Sequence, residues 1–140
     1  MILRTMTALF ALLLLLPAVS SAADRKMVIQ VNESDPMTQR MALNSAKNLK
    51  RLLGEDKVDV EVVVYGPGIG MLAKSHNSAH KIKSMIEHGV KVSVCEGALK
   101  VYAKRNGGTE LDIIEGISKV PTGAIRIMEL QEQGYAYLRP

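Results

Sequence analysis

The chain has 140 residues, a formal net charge of +4, a single Cys, one Phe and no Trp. A mild basic bias with no arginine-rich run and no set of stacking aromatics excludes a nucleic-acid-binding surface of the usual kind. A lone cysteine cannot pair within its own chain, so it must be buried, paired between chains or kept reactive.

Met1 to Arg4 is a short basic start, followed by an apolar run, Ala8 to Leu16, that Pro17 ends. The small residues Val19 to Ala23 then offer a cleavage site, with Ala22 and Ala23 as the candidate positions. This is the layout of an export signal over residues 1–23, and the apolar run is short of the roughly 20 residues that a membrane-spanning helix needs. The expectation is a periplasmic protein, with secretion as the other address, and no stable membrane anchor after cleavage. The rest, 24–140, has the length of one domain with one core.

Lys26 to Val31 reads as a first strand, nearly all apolar, as suits a strand covered on both faces. Asn32-Glu33-Ser34 is a loop. Asp35-Pro36 is a helix start, with Asp35 as N-cap and Pro36 at the first helical position. The helix runs to about Leu53, with Ala42, Ala46, Leu49 and Leu53 on its buried stripe and Gly54 as its stop. Arg40, Lys47 and Arg51 fall on another side; a solvated face is the first reading of them and an anionic partner the second.

Val58 to Val64 is the second strand, alternating at its start and fully apolar at its end. It leads into Tyr65-Gly66-Pro67-Gly68-Ile69-Gly70, a turn whose glycines could let backbone N–H groups approach a ligand. The spacing matches neither a dinucleotide fingerprint nor a P-loop. The segment Ser75 to His88 holds the three histidines. His76 and His80 are four apart, but His76 precedes the expected helix start and no HExxH pattern is present, so they read as surface residues. The sequence calls for no metal and no cofactor.

Val90 to Val94 is the third strand. It runs into Cys95 and a helix from about Gly97 to Lys104 whose Leu99, Tyr102 and Ala103 share a face. A strand-to-helix exit is where ligands and reactive groups collect in α/β folds, and a helix N-terminus favours a thiolate. The neighbouring Glu96 carboxylate opposes one unless it points away or takes the proton. Thr109-x-x-Asp112 has the form of a capping box, with Ile113, Ile114 and Ile117 following in a short helix or ordered loop. Ala124 to Met128 reads as the last strand, and Leu130 to Gln133 as a helical turn stopped by Gly134. The tail, with Tyr135 and Tyr137, is expected to dock, with a neighbouring subunit as one candidate surface.

Alternating strands and helices predict an α/β fold: three-layer α/β/α with a mainly parallel sheet of four to five strands. The loops after the first three strands then share one sheet edge. That puts Asn32, Glu33, Tyr65, Gly66, Cys95, Glu96 and Gly97 in one candidate neighbourhood, with Cys95 as the candidate catalytic residue.

Val63-Val64-Tyr65-Gly66-Pro67-Gly68, Gly89-Val90 leading into Cys95, Val120-Pro121-Thr122-Gly123, and Leu130-Gln131-x-x-Gly134-Tyr135-Ala136-Tyr137-Leu138-Arg139-Pro140 occur in that order. Together they resemble the DsrE/DsrF-like family, in its exported branch of small proteins with the YchN-like fold, over nearly the whole of 24–140. The resemblance implies a three-layer domain that forms homo-oligomers, trimers or hexamers. It also implies sulfur relay, with a cysteine persulfide carried at the position of Cys95 and exchanged with sulfur donor and acceptor proteins. Relatives often have His where this chain has Tyr65, and Asn-Thr where it has Gly97-Ala98. The alternative function is a non-catalytic homo-oligomeric module that binds a ligand or protein, with Cys95 structural.

Overall fold

The computed structural model describes Ala23 and residues 25–140. The expected export signal therefore lies outside the described residues, apart from Ala23. No helix among the described residues is long and apolar enough to cross a membrane.

The centre of the sheet is β2 (Val58–Val64), all but one of whose residues are buried. β1 (Arg25–Val31) pairs on one side of it and β3 (Val90–Cys95) on the other, both parallel. β4 (Ser118–Val120) extends the sheet beyond β3, and β5 (Ala136–Leu138) extends it beyond β1, giving the order β4-β3-β2-β1-β5.

Alternation along the strands sends two sets of side chains to opposite faces. Ile29, Val31, Val60, Val62, Val64, Val92 and Val94 build the main core. Over it lie α1 (Pro36–Leu53), α2 (Ala79–Glu87) and α3 (Glu96–Arg105). Ala42, Leu43 and Ala46 of α1 and Ile82 and Met85 of α2 are buried there, and Leu99 and Tyr102 of α3 pack against it. The second face is covered by one helix, α4 (Gly123–Glu132), whose Ile127 and Leu130 meet Val28, Val63 and Tyr135. The three-layer α/β/α expectation holds, with five strands, and the layers are unequal.

The start of α1 is as the sequence indicates: the Asp35 carboxylate accepts from the Thr38 N–H at 2.7 Å. Its end at Gly54 has a positive φ of 99°. After β2 the chain makes a 3-10 segment, Gly66–Leu72, instead of an open glycine turn. Gly68 is required in it, because a Cβ there would sit 2.7 Å from the Val31 carbonyl oxygen.

Two expectations need correction, and a third, the docking of the tail, is borne out. Ala124 to Met128 is not a strand but part of α4. The Ile-x-Ile alternation suggests a strand, yet the buried positions are Gly123, Ile127 and Leu130, which is helical spacing. The strand before it is the short Ser118–Val120, too brief to show a pattern. Thr109 starts no helix: 109–117 is an ordered loop, its Asp112 pairs with Lys74 at 3.0 Å, and Ile113 forms an antiparallel bridge with Ala73. The tail does dock, on its own chain: it is β5, and the Tyr137 hydroxyl donates to Gln30 Oε1 at 2.6 Å.

Candidate functional site

Parallel register sets the C-terminal ends of the strands level. Val31 pairs with Val64, Val64 with Val94, and Cys95 with Val120. One step on, Asn32, Tyr65 and Cys95 stand along one edge, with Pro121 beyond them.

The connections at this edge diverge. β3 leads into α3 on the main-core face, whereas β4 leads into α4 on the opposite face. A crevice opens where adjacent strands send their chains to opposite faces, and such crevices are where open α/β sheets bind ligands. Cys95 stands on one side of this switch point and Pro121 on the other: the Cys95 thiol donates weakly to the Pro121 carbonyl oxygen, with Sγ and O 3.8 Å apart.

Cys95 is at once the last residue of β3 and the N-cap of α3, with extended backbone at φ −70° and ψ 119°. It is unpaired, partly exposed and in neither core cluster. Neither α3 nor α4 has its first turn capped by the N-cap side chain, so two sets of helix N-terminal N–H groups flank this crevice. The Pro121 contact belongs to the protonated thiol.

Glu96 has a surface recess of its own beside the site. It opens α3 and lines a small recess of about 210 Å³ with Leu99, Lys100 and Lys119, and Cys95 is not part of that recess. A carboxylate in the first turn is also favourably placed on the helix dipole. Gly97 does approach the sulfur: a Cβ there would lie 3.5 Å from Cys95 Sγ and 4.0 Å from the Pro121 oxygen.

The other neighbours share the edge without a hydrogen bond to Cys95 among the described residues. Glu33 forms an ion pair with Arg139, and its carbonyl accepts from Gln39 Nε2 at 2.9 Å. The Asn32 carbonyl closes on Gly66, which has a positive φ of 53°. The Tyr65 ring packs on Gly123 at the start of α4. Burial foremost, and then the nearby Tyr137, push the Tyr65 hydroxyl pKa up, while Arg139 pulls it down. The edge thus has two halves: Cys95, Gly97 and Pro121 on one side, and Tyr65, Tyr137, Arg139 and Glu33 on the other.

Sequence reasoning missed the support beneath the site. Glu61 is 1 % exposed in the middle of β2. Arg126 of α4 donates to it twice, Nε to Oε1 at 2.8 Å and a terminal nitrogen to Oε2 at 2.7 Å. Ser93, two residues before Cys95 on the same face of β3, donates to Oε1 at 2.5 Å. Burial is the largest influence on the Glu61 carboxyl and raises its pKa. The hydrogen bonds from Arg126 and Ser93 and the charges of Arg126 and Lys91 together outweigh burial and hold it below its ordinary value. The signal was available: a carboxylate inside a Val-rich central strand demands a buried partner.

Three solved structures have this arrangement of strands and helices. A protein of unknown function from Methanobacterium thermoautotrophicum, MTH1491, superposes with a TM-score of 0.74 at 26% identity, covering 84% of this chain and 100% of that one. A conserved protein of unknown function from Bacteroides thetaiotaomicron, BT1422, gives a TM-score of 0.62 at 18% identity over 85% and 97% of the two chains. The ychN protein of E. coli gives 0.60 at 15% identity over 81% and 96%. No curated protein matches the chain. The sequence model of the DsrE/DsrF-like family matches residues 25–140, from the first residue of β1 through the tail that forms β5. The chain belongs to the DsrE/DsrF-like family.

Proposed function

We propose that this protein is an exported sulfur carrier that holds sulfane sulfur as a persulfide on Cys95. The observation that carries the reading is the position of the thiol: partly exposed, outside both cores, and at the crevice between β3 and β4 beside two uncapped helix starts. A sulfur that only filled space would be expected within a core.

Loading is an exchange. The Cys95 thiolate attacks a sulfane sulfur of a polysulfide or thiosulfate, a new S–S bond forms to Sγ, and the donor's S–S bond breaks. The leaving group departs as a shorter polysulfide or as sulfite. Delivery is the same step with an acceptor thiolate attacking the outer sulfur and Cys95 leaving. Electrons balance without a further oxidant. Helix N-terminal N–H groups stabilise the anionic forms by about 0.3–1 kcal/mol each in contacts of this kind. With no second cysteine in the chain, donor and acceptor are other molecules. A homo-oligomer is the working assembly under this reading, and the half-exposed Ile125 and Met128 on the outer side of α4 support a protein contact there.

The test is the intact mass of the purified protein after incubation with polysulfide or thiosulfate. A gain of one sulfur atom that reducing agent removes and Cys95→Ser abolishes is the expected result. No adduct, together with no alkylation of Cys95 in the folded protein, would sink the proposal.

A further inference from the structure

We propose that the groove between the C-terminal half of α1 and the length of α2 binds a small soluble anion bearing two or more phosphate-type groups. The groove has a volume of about 830 Å³ and is lined by Lys47, Arg51, Lys81, His80 and His88, with Glu55 as its one acid. That volume lies in the range of small-ligand sites, roughly 300–1,000 Å³.

Some of its basic side chains have structural duties. Lys50 is buried and donates to the carbonyls of Glu55 and Val58 at 2.9 and 2.8 Å, tying the end of α1 to the start of β2. Arg51 lies in the last turn of α1, where a positive charge complements the helix dipole, and contacts Asn48 at 3.4 Å. His88 bonds to the Ser84 carbonyl at 2.7 Å.

Lys47 and Lys81 have no such account. The salt bridges among the described residues use Lys74, Arg126 and Arg139, and none uses Arg40, Lys47, Arg51 or Lys81. α1 contains no acidic residue, and α2 contains only Glu87 at its end. Lys81 reaches across to the side-chain oxygen of Asn44, a neutral partner. Burial, and then the positive charges of Lys47 and Arg40, push the Lys81 pKa down. The fold therefore gathers like charges from two helices into one concavity that holds a single acid, Glu55, and pairs none of Lys47, Arg51 and Lys81 in a salt bridge. An anion with several charges is the ligand that relieves this, and Lys and Arg are the side chains that hold phosphate oxygens. Met85 and Val90 give the groove an apolar floor.

The groove is remote from the thiol. Val90 lines it at the start of β3 and Cys95 ends the same strand, about 17 Å away at roughly 3.3 Å per residue. The inference is therefore independent of sulfur chemistry.

The test is calorimetric titration of the full chain with tripolyphosphate at low ionic strength. We expect saturable binding of one ligand per chain, at least tenfold weaker orthophosphate binding, and unchanged binding in Cys95→Ser. Lys47→Gln and Lys81→Gln should each weaken binding about tenfold, and Lys47→Arg should retain it. Because Lys81 is repelled by its neighbours, Lys81→Gln should not lower the melting temperature. Binding that survives both Gln substitutions would overturn the proposal. So would equal affinity for orthophosphate, a melting temperature that falls together with binding in Lys81→Gln, or binding to phosphatidylglycerol vesicles with none to tripolyphosphate.

Discussion

Arg126 holds Glu61 in a two-pronged ion pair across the thinner side of the sheet, with Glu61 at the centre of β2 and Arg126 in the second turn of α4. Few apolar residues fix this helix, so the pair carries much of its placement. Removing one partner strands a buried charge. Arg126→Ala should cost about 3 kcal/mol in denaturant unfolding, at the low end for such pairs because the Arg126 side chain is 28% exposed. The double variant Glu61→Met, Arg126→Met should recover part of that loss, since two apolar side chains leave no charge behind, with the buried Ser93 hydroxyl, which loses its acceptor, as the remaining cost.

The same pair gives a pH signature. The Glu61 carboxyl titrates below its ordinary value of 4.5 in the folded protein. Its contribution to stability is therefore complete above that value and is lost as pH falls through the lower folded pKa. Thermal melts from about pH 7 to about pH 3 should show wild-type stability dropping below about pH 4.5, and a shallower drop in the Met–Met variant. Some slope should remain, because Asp35, held low by hydrogen bonds from Thr38, and Glu115, held low by Lys74, titrate in the same direction.

The Glu61 pair also shows where sequence reasoning stops. Local signals were strong for the first half of the chain: the Asp35-Pro36 start, the α1 stripe and the Val-rich strands all appear where their patterns put them. The shared edge of Asn32, Tyr65 and Cys95 followed from parallel order alone. What could not be read were contacts between residues far apart in the chain. Arg126 meets Glu61 across 65 positions, and Pro121 meets Cys95 across 26. The second half misled for a local reason. A three-residue strand carries no period, and Ile125 and Ile127 mimic strand alternation in a helix whose buried face is set by Gly123, Ile127 and Leu130.

Gly123 and Tyr65 should prove energetically coupled. A Cβ on Gly123 would lie 2.6 Å from Tyr65 Cδ1, 2.9 Å from Cγ and 3.0 Å from Cβ. Those atoms are the root of the ring, not a mobile tip, so the clash cannot be relieved by a small rotation. Gly123→Ala gains up to about 1 kcal/mol of helix propensity. It should still be destabilising overall by about 1–2 kcal/mol, since overpacking costs about 1–3 kcal/mol. With Tyr65→Ala in the background, Gly123→Ala should become neutral or stabilising. A double-mutant cycle in urea measures the difference, expected to exceed about 1 kcal/mol. Additive effects would mean that α4 moves and the ring does not.

Gly97 offers a way to touch the sulfur without touching the fold. Its backbone φ is not positive, and a methyl group there would meet Cys95 Sγ at 3.5 Å and the Pro121 oxygen at 4.0 Å, both ordinary contacts. Gly97→Ala should therefore stabilise the protein, by about 0.4–1 kcal/mol through the unfolded chain. The same methyl group covers one side of the thiol. Alkylation of Cys95 and its loading from polysulfide should both slow several-fold, although the cysteine itself is unchanged. Stability and reactivity moving in opposite directions is the expected result, read from urea unfolding and from the rate of iodoacetamide labelling. A stabilised variant that reacts at the wild-type rate would place the approach of the sulfur donor on the Val120 side of the crevice, away from the first turn of α3.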